Sequence, residues 1–128
     1  MAKYFISLGS NTQRGNIALE MAMNWFAEFA TIIARTPIYK TPDVKDASRM
    51  PYNNAIAAIE SDIPAEQLNL MLKEYETEQG RISGSSIVTI DLDLVSMNNQ
   101  ILRQRDYFAP YFIEGLYLLS AVKTEGGI

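Results

Sequence analysis

The chain contains no cysteine and no histidine. The first absence excludes a disulfide framework and thiolate chemistry, and the second removes both the imidazole base and the commonest ligand of transition metals. Carboxylates remain as the natural metal ligands. Basic residues are also scarce, 11 against 15 acidic for a formal net charge of -4. A general nucleic-acid or anionic-membrane binder needs a basic face, so neither is expected, and any phosphate ligand would need local cations. Long hydrophobic runs are missing too. The N-terminal stretch MAKYFISLGSN is broken at Gly9, too early for a signal peptide or a span, and no later segment reaches the necessary length. No membrane association is expected, and a cytoplasmic location is the default. We find no repeat, linker or low-complexity tract. With 128 residues, 48% of them apolar, residues 1–128 read as a single domain around one core.

Several segments carry a clear pattern. KYFISL, residues 3–8, reads as a buried strand ended by the loop Gly9, Ser10, Asn11 and Thr12. The apolar residues between Asn16 and Ala30 predict a helix, and residues 31–42 a strand with Pro37 at an edge or bulge. DVKDASRM is a polar loop. YNNAIAAI, from Tyr52 to Ile59, is bounded by Pro51 and by SDIP, which favours a strand. Pro64 suits the first turn of a helix whose stripe of Leu68, Met71, Leu72 and Tyr75 runs on towards Gly80. RISGSS is a loop, IVTIDLDLVSM a strand, Asn98-Asn99 a turn and QIL a short partner strand. Residues 112–122 predict a last helix. The order βαββαβ is the split βαβ pattern, so the expected class is α+β: a ferredoxin-like antiparallel sheet with helices on one face.

Within TIDLDL, residues 89–94, two carboxylates interrupt an apolar run. Side chains alternate along a strand, so Asp91 and Asp93 share one face while Ile90, Leu92 and Leu94 share the other. Equivalent atoms two residues apart lie about 6.6 to 7 Å from one another, close enough for both carboxylates to hold one divalent ion or a close pair. Such hard oxygen ligands suit magnesium, which completes its octahedron with water and substrate phosphates. Read this way the strand carries a phosphoryl-transfer site. The plainer alternative is an antiparallel strand whose wet face happens to be acidic.

Other motifs favour the first reading. GSN follows the first strand, YKTP occupies 39–42, PYNNA 51–55, and E-x-x-Q-G-R runs from Glu76 to Arg81. Together with IDLDL, this order and spacing resembles the hydroxymethyl-dihydropterin pyrophosphokinase family, from residue 4 to about residue 122. The resemblance implies transfer of pyrophosphate from ATP to 6-hydroxymethyl-7,8-dihydropterin, a step of folate biosynthesis, with magnesium as cofactor and ATP and a pterin as small-molecule partners. Residue by residue, it implies that Asp91 and Asp93 hold the magnesium, that Thr41, Pro42, Tyr52 and Asn54 line the pterin pocket, and that Glu76, Arg81 and Arg105 meet the nucleotide. Arg81 joins the aspartates as a catalytic residue on this reading. Chemistry supports the pocket, since an aromatic face stacks on a flat ring and an amide offers a donor and an acceptor to a heterocycle edge.

The resemblance also breaks in places. Family members carry a longer loop, with several arginines and a tryptophan, where this chain has only ISGSSIVT. Later, in APYFIEGLYLL, Tyr111 stands for a histidine, Glu114 for an arginine and Leu116 for a stacking phenylalanine. ATP carries about four negative charges, and guanidinium groups placed on developing charge are normally worth orders of magnitude in rate. A catalytically impaired paralogue acting as a pterin-binding module is therefore one alternative. A ferredoxin-like interaction module, forming a homodimer through an edge strand, is another.

Overall fold

The structure, a computed structural model, describes residues 1–43, 45, 48–82 and 84–126. Val44, Asp46 and Ala47 of the expected polar loop and Ser83 of the expected loop at 81–86 lie outside the described residues, as do residues 127–128 of the expected domain. The elements follow in the order β1 (Ala2–Ser10), α1 (Gly15–Phe26), β2 (Thr31–Arg35), β3 (Tyr39–Thr41), β4 (Tyr52–Ser61), α2 (Ala65–Glu78), β5 (Asp91–Met97), β6 (Gln100–Ile101), α3 (Gln104–Tyr107) and α4 (Pro110–Gly126). No helix among the described residues is long and apolar enough to cross a membrane.

The strands form one antiparallel sheet in the order β2-β4-β1-β5-β6, with β3 also paired to β4. This is the α+β, ferredoxin-like arrangement expected from the element order. Strand β1 is central, paired along its length with β4 and β5. Its alternate residues Tyr4, Ile6 and Leu8 join Ala55, Ala57, Ile59, Leu92 and Leu94 in the main core. Helices α1 and α2 cover that face through Leu19, Met23, Phe26, Leu68 and Leu72. Burying each such large side chain removes enough apolar surface from water to contribute about 1.5–3 kcal/mol. Trp25 of α1 stacks on Tyr75 of α2 at 4.3 Å between ring centroids, which ties the two helices together.

The opposite face divides in two. One part packs beneath α4, where Ile56 and Val95 meet Phe112 and Leu119. The expected layer of helices on one face is thus provided by α1 and α2, while the C-terminal helix adds a layer on the other. Gly115 permits that approach: a Cβ there would lie 2.3 Å from both Ile56 Cδ1 and the Tyr39 hydroxyl. The remaining part of this face lies open and is polar.

Element ends moved where side chains or long-range pairing overrode local signals. Strand β1 continues through Gly9 and Ser10 because β4 extends far enough to pair Ser10 with Asn53. Helix α1 stops at Phe26 and leaves Phe29 and Ala30 in the turn. The stretch 31–42 is two strands, separated at Pro37, which has no N–H for the ladder. Thr36 bridges the break: its N–H donates to the Ile56 carbonyl and its hydroxyl accepts from the Ile56 N–H, both at 2.9 Å. Residues 87–90 do not belong to β5. Helix α3 carries no apolar stripe that would have announced it.

Candidate active site

The open part of the second face is the floor of a cavity of about 310 Å³. Register explains its composition. Asp91 lies opposite Gly9 and Asp93 opposite Ser7, while Asn54 lies on the other side of Gly9 and Tyr39 beyond Asn54. Cross-strand partners share a face, so these side chains emerge together. Gly9 keeps the centre low, because a Cβ there would stand 3.5 Å from Asn54 Oδ1 and 3.6 Å from the Tyr52 ring. Thr41, Pro42, Tyr52 and Asn54 form one wall, the aspartates the other, and Arg81, Lys45 and Arg49 bring positive charge to the rim. Asn54 is buried, and its amide nitrogen donates to the Thr41 hydroxyl at 2.5 Å.

Two local devices aim the ends of this cavity. Gly80, at φ +89°, lets α2 close with the Arg81 N–H on the Glu76 carbonyl and the Gly80 N–H on the Thr77 carbonyl, both at 3.0 Å. The turn sends the Arg81 side chain to the cavity, where its Nη1 is buried and has no hydrogen-bond partner among the described residues. The second device is Asn11. Its side chain accepts from the Val88 N–H at 2.6 Å and donates to the Ser86 carbonyl at 2.7 Å, while its own N–H donates to the Val88 carbonyl. One asparagine thereby replaces a strand partner and pegs the segment leading into the aspartates. Asn11→Ala should cost about 1–3 kcal/mol in urea unfolding, because the buried Val88 N–H loses its acceptor. It should also weaken ligand binding in the cavity; unchanged stability and binding would mean that the peg is idle.

The aspartates sit in a charged but poorly solvated setting. Burial, then the negative charge of Asp91, pushes the Asp93 carboxyl up to about 6, against the opposing pull of Lys73 and Arg103. Burial also raises Asp91, helped by a hydrogen bond to Glu76 and by the charge of that group. Lys73 Nζ lies 3.3 Å and Arg103 Nη2 3.7 Å from Asp93 Oδ1. Arg103 is also paired with Asp106, which accepts a 2.5 Å bond from the Tyr111 hydroxyl. Burial and then the Asp106 hydrogen bond raise Tyr111, so it stays a phenol.

The cavity therefore brings together Asp91, Asp93, Arg81, Thr41, Pro42, Tyr52 and Asn54. Two sequence candidates stand apart. Glu76 is buried behind the cavity wall, where it accepts the Leu92 N–H at 3.1 Å and pairs with Lys73. Arg105 is exposed on α3 and does not line the cavity. Arg103 approaches Asp93 instead, since the Leu102 and Arg103 N–H groups both bond the Val95 carbonyl and fold the chain back there. Sequence reasoning also passed over Lys73 and Asp106; the pairing of Lys73 with Glu76 three residues on was the available signal for the first.

No group of three or more potential ligands is gathered for a metal among the described residues. The two aspartates nevertheless fit a divalent cation. They are hard oxygen donors on one face, and burial first, then the neighbouring carboxylates, raises both carboxyls, a penalty that a bound cation would relieve.

A ferredoxin-like sheet with paired carboxylates facing a polar cavity defines the class as an α+β protein with a candidate small-molecule site. Comparison with known proteins narrows the class. A model of the 7,8-dihydro-6-hydroxymethylpterin-pyrophosphokinase family matches residues 5–118, and the chain belongs to that family. It is 26% identical over 118 residues to 2-amino-4-hydroxy-6-hydroxymethyldihydropteridine pyrophosphokinase of Haemophilus influenzae, covering 88% of this chain and 72% of that protein. It is 25% identical over 104 residues to the Pseudomonas aeruginosa protein of the same name, covering 78% of this chain and 64% of the relative.

Proposed function

We propose that the chain is a cytoplasmic pyrophosphokinase that transfers pyrophosphate from ATP to 6-hydroxymethyl-7,8-dihydropterin for folate biosynthesis. The observation that carries this reading is the opening of Asp91 and Asp93 into the same cavity as Tyr52 and Asn54. Family membership supports the same substrates. Tyr52 offers a ring face and Asn54 an amide to a flat heterocycle, while Thr41 holds the Asn54 amide in place. The new bond joins the alcohol oxygen to the β-phosphorus, the bond from that phosphorus to the bridging oxygen of the α-phosphate breaks to release AMP, and the alcohol proton passes to solvent. Bound at Asp91 and Asp93, magnesium would neutralise phosphate charge and orient the reacting groups. Arg81 lines the cavity and is the chain's own guanidinium for a phosphate oxygen. Lys45 and Arg49 add positive charge at the rim.

A binding module is the second reading, favoured by one observation. Asp106 lines the cavity where a polyphosphate would meet it, and burial is outweighed by its bonds to Tyr111 and Arg103, which hold it ionised. Thermal shift with the pterin alone tests the pocket in either case. A ligand at 100 times its dissociation constant stabilises by about 2.7 kcal/mol, and Asn54→Leu should remove most of that shift. An unaltered shift in the variant would place the pterin elsewhere.

A further inference from the structure

Strand β5 has an incomplete edge. On one side it pairs with β1, but on the other β6 reaches only Ser96 and Met97. Leu92, between the aspartates, finds no strand there, and two side chains of α2 take its backbone groups. Glu76 Oε1 accepts the Leu92 N–H at 3.1 Å, and Lys73 Nζ donates to the Leu92 carbonyl at 2.8 Å. The same ammonium reaches Asp93 Oδ1 at 3.3 Å and Glu76 Oε2 at 3.1 Å. It does so from behind, since Lys73 does not line the cavity.

An asparagine or glutamine would satisfy the carbonyl without bringing charge. A lysine places a full positive charge against the carboxylate that a divalent ion would use. We propose that Lys73 is a positioning residue that holds Asp93 in the cation-free protein and sets the affinity of the aspartate pair for divalent cations by competing for its charge. Glu76 then has the opposite sign of effect: it draws the ammonium back and adds negative charge beside Asp91. This inference rests on the reading of Asp91 and Asp93 as cation ligands.

The test is Mn²⁺ binding followed by electron paramagnetic resonance at pH 8, without ATP or pterin, on the whole chain and on Lys73→Met, Lys73→Gln and Glu76→Gln. Glu76→Gln keeps an acceptor for the Leu92 N–H at the same reach, and Lys73→Gln keeps an uncharged donor one bond shorter than the lysine. Removing the ammonium should tighten Mn²⁺ binding about three- to tenfold, as expected for a partly screened charge at this range. Removing the Glu76 carboxylate should weaken it. A purely structural clamp would move both substitutions the same way, since each cuts the Lys73–Glu76 pair. Unchanged or weaker binding by both Lys73 variants overturns the role of Lys73 alone. No Mn²⁺ binding by any of the proteins overturns it together with the metal reading of the aspartates.

Discussion

Asp93→Asn is expected to make the cation-free protein more stable and, at the same time, slower by two to three orders of magnitude. Both effects come from one carboxylate. Its pKa rises from the ordinary 3.8 to about 6 because the folded protein penalises its charge. Above pH 6 the penalty is fully present, and it is relieved as the pH falls through 6 towards 4. The wild-type protein, stripped of metal, should therefore gain on the order of 2 kcal/mol from this group between pH 8 and pH 4. Asn carries no charge, so the variant should be more stable by a similar amount at pH 8 and lose that part of the pH dependence. Turnover should fall by about 10²- to 10³-fold, the usual loss when a group stabilising transition-state charge is removed. Urea unfolding in chelator at pH 8 and pH 5, beside an AMP assay, checks both halves. A variant that is less stable at pH 8 would mean that the ion pair with Lys73 outweighs burial.

Gly115→Ala is the second large effect. Alanine favours a helix over glycine by about 1 kcal/mol, so on propensity alone the change should stabilise α4. Packing opposes this. The new Cβ would sit 2.3 Å from Ile56 Cδ1 and from the Tyr39 hydroxyl, and neither neighbour is free to yield. Ile56 is fully buried, and Tyr39 donates a 2.7 Å bond to the Tyr111 carbonyl at the start of α4. Overpacking a core by a methyl commonly costs about 1–3 kcal/mol; with Tyr39 displaced as well, the net loss should be about 2 kcal/mol in urea unfolding. Tyr111 lines the cavity, so ligand affinity should fall too. Gly80→Ala is the informative control. Nothing lies within 4 Å of its Cβ position, and its φ of +89° makes the cost purely conformational, about 1 kcal/mol. Equal effects at the two glycines would contradict the packing argument.

What the sequence revealed, and what it hid, follows from the range of each interaction. Period-two alternation was enough to separate Asp91 and Asp93 from Leu92 and Leu94, and the structure puts the leucines in the core and the aspartates in the cavity. The stripe on α2 was equally plain, with Leu68 and Leu72 fully buried. The extent of β1 was hidden because Gly9 and Ser10 look like a turn until β4 is seen to run alongside them. Residues 87–90 looked like strand because all four are β-branched, yet Val88 is held by the side-chain oxygen and the backbone N–H of the single residue Asn11 rather than by a continued ladder. The layer formed by α4 depended on a glycine whose importance lies entirely in what it nearly touches.

The site divides along the same line. Cavity walls from β3, β4 and β5 were legible, since register fixes which residues face together. Charge placement was not. Arg103 and Arg105 are indistinguishable by spacing, and only the fold-back onto the Val95 carbonyl brings Arg103 to Asp93. Lys73 reads as an ordinary solvated lysine on an amphipathic helix until the open edge of β5 comes into view.

This carboxylate-centred cavity is expected to transfer pyrophosphate although the segment after Arg81 carries no arginine before Asp91. Its most direct test is AMP release from ATP with 6-hydroxymethyl-7,8-dihydropterin and magnesium, comparing the protein with its Asp91→Ala, Asp93→Ala variant. AMP is expected to form in step with pterin pyrophosphate, to depend on magnesium and to be lost in the folded double variant. No AMP from a folded wild-type protein that still binds the pterin would contradict it, and would leave a pocket that binds without transferring.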